Sequence, residues 1–198
     1  GGHNDYSGNE IYSLNLNSNP PTMTRLNDPS VPPISHSDPN CPETLADGKP
    51  NSRHTAGGLS YIQNADTLYS YGGAKSCGPG NTSAATWTLN PSTLQWTSKD
   101  PTNGSPGPTD FFHNLPFSAS AYDPDTGLVF LADAIKDPFF SYDLGTNTYT
   151  LRNGNIDIGE DATCEVDPVR NWFICFGSNY GSSVPRIIAV DITPGGSY

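Results

Sequence analysis

SRHTAGGLSYIQNADTLYSYGGAKSCGPGNTSAATWTLNPSTLQWTS, residues 52–98, carries the pattern that decides the fold. Its apolar run Leu68-Tyr69-Ser70-Tyr71 ends in the pair Gly72-Gly73, a second alternating run surrounds Trp87 and Leu89, and a third closes on Trp96. Alternation with a period of two marks strands with one buried face, and glycine pairs mark turns. The stretch is read as one four-stranded antiparallel unit.

The unit recurs. Ile11-Tyr12-Ser13-Leu14-Asn15-Leu16, Thr86-Trp87-Thr88-Leu89-Asn90-Pro91, Phe139-Phe140-Ser141-Tyr142-Asp143-Leu144 and Ile187-Ile188-Ala189-Val190-Asp191-Ile192 share one alternation with Asn or Asp in fifth place. Short amide and carboxylate side chains suit that place because they bond the backbone two residues on and so start a turn. The preceding strand also recurs, at 68–72, 128–132 and 172–177. A period of roughly 50 residues built from four short strands is the signature of propeller blades. The expected fold is an all-β propeller of about three and a half blades. Residues 1–26 form a partial blade, 27–51 a proline-rich loop insertion, and 52–98, 110–152 and 157–198 three further blades of a single segment.

Composition agrees. With 20 glycines and 19 prolines in 198 residues, no helix of useful length fits. The net charge of −11, with only 9 Lys and Arg, excludes nucleic acid and anionic membrane surfaces as partners, because both need clustered cations. No apolar run is long enough to span a bilayer. The chain opens on Gly1-Gly2, the pair that ends a strand in 52–98, and Tyr198 stands where a fourth strand is due. Both ends are therefore expected to cut a larger ring; if they do not, open blade edges are expected to drive self-association.

Four cysteines in an acidic chain suggest an extracellular, disulfide-bonded protein. Cys164 and Cys175 flank a hairpin turning at Asp167-Pro168, which sets them opposite each other on adjacent strands, within bridging reach. Cys41 and Cys77 then pair, tying the proline-rich loop to the segment after Gly72-Gly73; free buried thiols are the alternative. No CxxC spacing points to a metal, and no cofactor is expected. Asn81 and Asn103 begin glycosylation sequons.

The apolar run into Gly72-Gly73, followed by Trp87 and then Trp96, resembles a kelch repeat, and the resemblance extends over nearly the whole chain. Two blades depart from it, with Ala132-Asp133 and Gly177-Ser178 for the glycine pair, and Tyr149 replaces one closing tryptophan. The chain looks most like secreted kelch-type propellers related to the central domain of galactose oxidase. Kelch propellers include protein and glycan binders, a copper oxidase and polysaccharide lyases, so the resemblance implies a fold without choosing a function.

In a propeller the first strand of each blade lines the central channel. The start of that strand and the end of the second therefore share one face. There the sequence gathers His3, Asp5, Tyr6, Arg53, His54, His113, Glu160 and Asp161 as candidate binding residues. The simplest role for such a set is capping strand ends. As a site, it is expected to bind a glycan or protein ligand. The catalytic alternative is a lyase with His54 or His113 as base, Tyr6 as acid and Arg53 holding a uronate; a copper oxidase is a weaker one. Tyr69, Tyr71, Trp87, Trp96, Phe130 and Trp172 are expected in the core, and His36 on the surface. Phe111, Phe112, Phe139 and Tyr180, at loop ends, are expected to be free to meet a sugar face.

Overall fold

The computed structural model of the chain describes residues 6–32, 34–35, 37–77, 82–102, 118–132, 139–153, 156–159, 162–178 and 184–195. The strands are β1 (Tyr12–Asn15), β2 (Thr22–Arg25), β3 (Arg53–His54), β4 (Leu59–Ile62), β5 (Thr67–Tyr71), β6 (Ala74–Lys75), β7 (Thr86–Asn90) and β8 (Gln95–Lys99). They continue with β9 (Ala119–Asp123), β10 (Leu128–Ala132), β11 (Phe139–Asp143), β12 (Thr148–Asn153), β13 (Thr163–Asp167), β14 (Trp172–Ser178) and β15 (Pro185–Asp191). All sheets are antiparallel: β1-β2, β3-β6, β4-β5-β7-β8, β9-β10-β11-β12 and β13-β14-β15. The fold is all-β and propeller-like, and among the described residues no helix is long and apolar enough to cross a membrane.

The turns follow the chemistry expected of them. Asn15 Oδ1 accepts the N–H of Asn17, Asn90 Oδ1 those of Ser92 and Thr93, Asp143 Oδ1 those of Gly145 and Thr146, and Asp191 Oδ1 that of Thr193. Each closes a strand at the same point of the repeat because the side chain offers the backbone a local acceptor. Asp123 and Asp167 do the same at the first hairpin of their sheets.

The three larger sheets stack face to face, with β9–β12 in the middle. Strand β10, Leu-Val-Phe-Leu-Ala, is apolar at every position because both its faces are covered. Val129 and Leu131 meet Ile62, Tyr69, Tyr71, Phe140, Tyr142 and Tyr149 on one side. Phe130 and Ala132 meet Phe139, Ile158, Phe173, Cys175 and Val190 on the other. First strands β4, β9 and β13 run side by side at the hub. The contact between β4 and β9 is parallel: Gly57 bridges Ala119, Ser120 N donates to Gly57 O at 2.8 Å, and the hydroxyls of Ser60 and Ser120 are 2.7 Å apart.

Two residues stand differently from expectation. Phe139, read as a loop-end ring, is fully buried: it begins β11 opposite Ala132 and stacks on Phe130 at 5.6 Å. Trp172, read as core, is 42% exposed. Its neighbour Phe173 takes the inward place, and a period of two then sends Trp172 and Phe176 to the outer face of the sheet.

Both disulfides form as paired above. Cys164–Cys175 joins directly opposed positions of β13 and β14, and Cys41–Cys77 fastens residues 27–51 to the chain after β6. Glu43 of that loop meets the β4–β8 sheet at Trp87. Trp87, 1% exposed, donates its indole N–H to Glu43 at 2.8 Å, and the same carboxylate pairs with Arg53. The insertion is thus clasped to that sheet by a disulfide and one shared carboxylate.

Tyr149 uses its hydroxyl to bond Tyr69 Oη at 2.8 Å and Thr86 Oγ1 at 2.6 Å, joining two sheets. Burial pushes the Tyr69 and Tyr149 phenols well up, and burial together with the Asp143 charge pushes Tyr142 up to about 12. A phenol raised in the folded state contributes stability that is complete below its unfolded value near 10. That contribution is lost as pH rises towards about 12 for Tyr142. In an alkaline titration we expect these three to ionise together with loss of the near-UV circular dichroism signal. Ionisation of all 10 tyrosines near pH 10 with that signal intact would contradict the network.

Candidate functional site

At one end of the hub, Arg53 and His54 form β3 and pair with Lys75 and Ala74 of β6. Gly72 and Gly73 both adopt positive φ, and a Cβ on Gly73 would lie 2.6 Å from the His54 carbonyl oxygen. The glycine pair therefore lets the end of β5 turn back against β3. His54 is exposed. Arg53 is buried, and each nitrogen of its guanidinium has a partner: Nε donates to Asn51 O, Nη1 to Gly72 O and Ser83 Oγ, and Nη2 to Glu43. Its present chemistry is that of a strut between the proline-rich loop and the sheet.

Tyr6 is exposed and donates its hydroxyl to Glu10 Oε1 at 2.6 Å; Tyr12 donates to the same oxygen at 3.1 Å. Burial opposes ionisation of Glu10, but the bonds from Tyr6, its own backbone and Tyr12 outweigh it and hold the carboxyl below its ordinary range. In return the carboxylate bond raises the Tyr6 phenol. His3, Asp5, His113, Glu160 and Asp161, together with His36, Asn81, Asn103, Phe111, Phe112 and Tyr180, lie outside the described residues. Of the eight candidate binding residues the structure therefore places three, with Arg53 and His54 adjacent and Tyr6 on the Glu10 segment. Among the described residues no group of three His, Cys, Asp or Glu is gathered closely enough to hold a metal.

A concave site lies along the hub strands instead. It is a cleft of about 270 Å³ between β4, β9 and β13. Leu59, Ser60, Tyr61 and Gln63 line it from β4 and the turn beyond, Ser120, Ala121, Tyr122 and Pro124 from β9 and its turn, and Glu165 from β13. Tyr61, Gln63, Tyr122 and Pro124 belong to the far ends of their strands, away from Arg53 and His54, which precede β4. Beside it, Gly57 against Ala119 and the paired hydroxyls of Ser60 and Ser120 let the β4 and β9 segments approach closely. Tyr61 is half exposed and its hydroxyl donates to Asp66 Oδ1 at 2.6 Å. Asp66 is set there by a 3-10 turn over Gln63–Ala65 that ends with Asp66 in the left-handed region. The Tyr122 hydroxyl is buried and has no hydrogen-bond partner among the described residues. Glu165 is exposed and sits next to Cys164, whose bridge to Cys175 holds the register of β13 on β14.

Sequence reasoning missed this cleft. The available signal was a tyrosine near the end of the first strand in two successive repeats, Tyr61 and Tyr122, but its meaning depends on the two strands lying side by side.

No protein family matches the chain, and no curated protein matches it. Among solved structures, the crystal structure of TolB from Acinetobacter baumannii is similar at 13% sequence identity and a TM-score of 0.46. The match covers 94% of this chain and 39% of that one. This chain thus spans well under half the length of TolB.

Proposed function

We propose that this chain belongs to a secreted, kelch-like propeller protein whose role is recognition, and that it binds a glycan in the cleft between β4, β9 and β13. The observation that carries the reading is the grouping of Tyr61 and Tyr122 with Gln63, Ser60, Ser120 and Glu165 around one concave surface. Sugars present apolar C–H faces and a rim of hydroxyls, which aromatic rings and small polar groups match. Asp66 already holds Tyr61, so little ordering is lost on binding. Gly72-Gly73, with Trp87 packed edge-on to Trp96 at 6.5 Å, supports the kelch-like assignment, and the two disulfides support secretion.

Catalysis by His54 with Arg53 ranks second on a physical ground. To hold a substrate carboxylate, Arg53 would have to leave Glu43 and three further acceptors inside the protein. The test is retention on immobilised neutral, acidic and amino-sugar polysaccharides, with products monitored. We expect retention without product, weakened about three- to tenfold by Tyr61→Ala. Unsaturated or oxidised products that vanish in His54→Ala, or retention indifferent to Tyr61→Ala, would overturn the proposal.

A further inference from the structure

We infer that the glycan taken by this cleft carries a free primary amine, so that the site selects an amino sugar over its N-acetylated counterpart. The inference rests on the cleft reading above and adds the charge of the ligand to it. Among the described residues, Glu165 is the one carboxylate lining the cleft, and neither Lys, Arg nor His lines it. Among the described residues no cation pairs with Glu165: the ion pairs there are Arg25–Asp28, Lys49–Asp47, Arg53–Glu43, Arg170–Asp167 and Arg186–Asp157.

Hydrogen-bond accounting points the same way. The Ser60 and Ser120 hydroxyls are engaged with each other, and Ser120 also donates to Gly57 O. The Tyr61 hydroxyl is given to Asp66. Among the described lining residues, what the cleft still offers is the carboxylate of Glu165, the amide of Gln63 and the exposed ring of Tyr61. An ammonium has three donors and no acceptor, forms charge-assisted bonds with a carboxylate, and is attracted to the face of an aromatic ring. A uronate would instead meet Glu165 with like charge. Asp66, Asp123 and Asp125 stand at the turns ending β4 and β9, and the chain carries −11 overall, so a cation is drawn toward this end of the hub. The Cys164–Cys175 bridge keeps Glu165 in place: a one-residue slip of β13 would turn it to the other face.

The test compares a glucosamine oligomer with the N-acetylglucosamine oligomer of equal length by calorimetry, at low and high salt. Wild type, Glu165→Gln, Tyr61→Ala and Asp28→Asn are used, the last removing an equal charge far from the cleft. Wild type should bind the free amine about tenfold more tightly at low salt, and salt should shrink the difference. Glu165→Gln should abolish the preference by bringing the free amine down to the affinity of the N-acetylated oligomer. Asp28→Asn should preserve the preference, and Tyr61→Ala should weaken both ligands. Equal affinities, or a preference that survives Glu165→Gln, would overturn the amine assignment and leave the cleft reading standing as long as Tyr61→Ala still weakens binding. A lysine homopolymer bound as tightly, with the same dependence on Glu165, would overturn it in favour of a basic peptide. Binding of neither oligomer, with no retention on any polysaccharide, would remove both proposals.

Discussion

Glu43→Ala is expected to cost about 2–4 kcal/mol of folding stability, at the lower part of the range for breaking a buried pair because Glu43 is itself about a third exposed. The cost comes from what stays behind. The Arg53 side chain is only 6% exposed and would keep its bonds to Asn51, Gly72 and Ser83, so its charge would remain inside without a counter-ion. The Trp87 indole N–H would lose its acceptor in the same step. For a chain of this length the melting temperature should fall by roughly 5–15 °C. Removing both charges with Glu43→Leu and Arg53→Met should recover much of the loss, since the penalty is that of an orphaned charge. Denaturant unfolding of the two single variants and the double variant measures the coupling. A Glu43→Ala midpoint equal to wild type would show that the proline-rich loop is not clasped through this carboxylate.

Gly57→Val should be comparably damaging, for a steric reason. A Cβ at Gly57 would stand 2.9 Å from both Ala119 Cβ and the Ala162 carbonyl oxygen, at the point where the three hub strands meet. Valine adds two further methyls, so β4 must separate from β9, breaking the bond from Ser120 N to Gly57 O. Overpacking of this kind costs about 3 kcal/mol, and the cleft between those strands should open with it. Gly48→Ala is the control. Gly48 has φ +83° but nothing within 4 Å of its Cβ, so only backbone strain of about 1 kcal/mol is expected. Equal effects of the two substitutions on the denaturation midpoint would mean that close approach at the hub is not what Gly57 provides.

Much of the fold was legible because its signals are local. Asn15, Asn90, Asp143 and Asp191 announce turns through bonds to residues two or three places on, and Cys164 and Cys175 face each other across one hairpin. What was not legible depends on which faces meet. Phe139 and Trp172 sit on strands whose alternation is plain, yet only the stacking of sheets decides which alternate side is covered. The clasp joins Glu43 in an irregular loop to Arg53 and Trp87, and no periodicity predicts that meeting. Arg53 and His54 were correctly set before a first strand, but the engagement of Arg53 with Glu43 has no sequence signature. The cleft is hardest of all to foresee, because Tyr61, Tyr122 and Glu165 come from three different sheets.

The most direct test of the central claim is a titration of the chain with a retained oligosaccharide, followed by amide chemical shifts. The expected result is a set of perturbed amides at Leu59–Gln63, Ser120–Tyr122 and Glu165, with Tyr61→Ala moving the midpoint about three- to tenfold to higher ligand concentration. Shifts confined to Arg53, His54 and their partners Ala74 and Lys75 would place recognition at the opposite end of the hub and contradict the account.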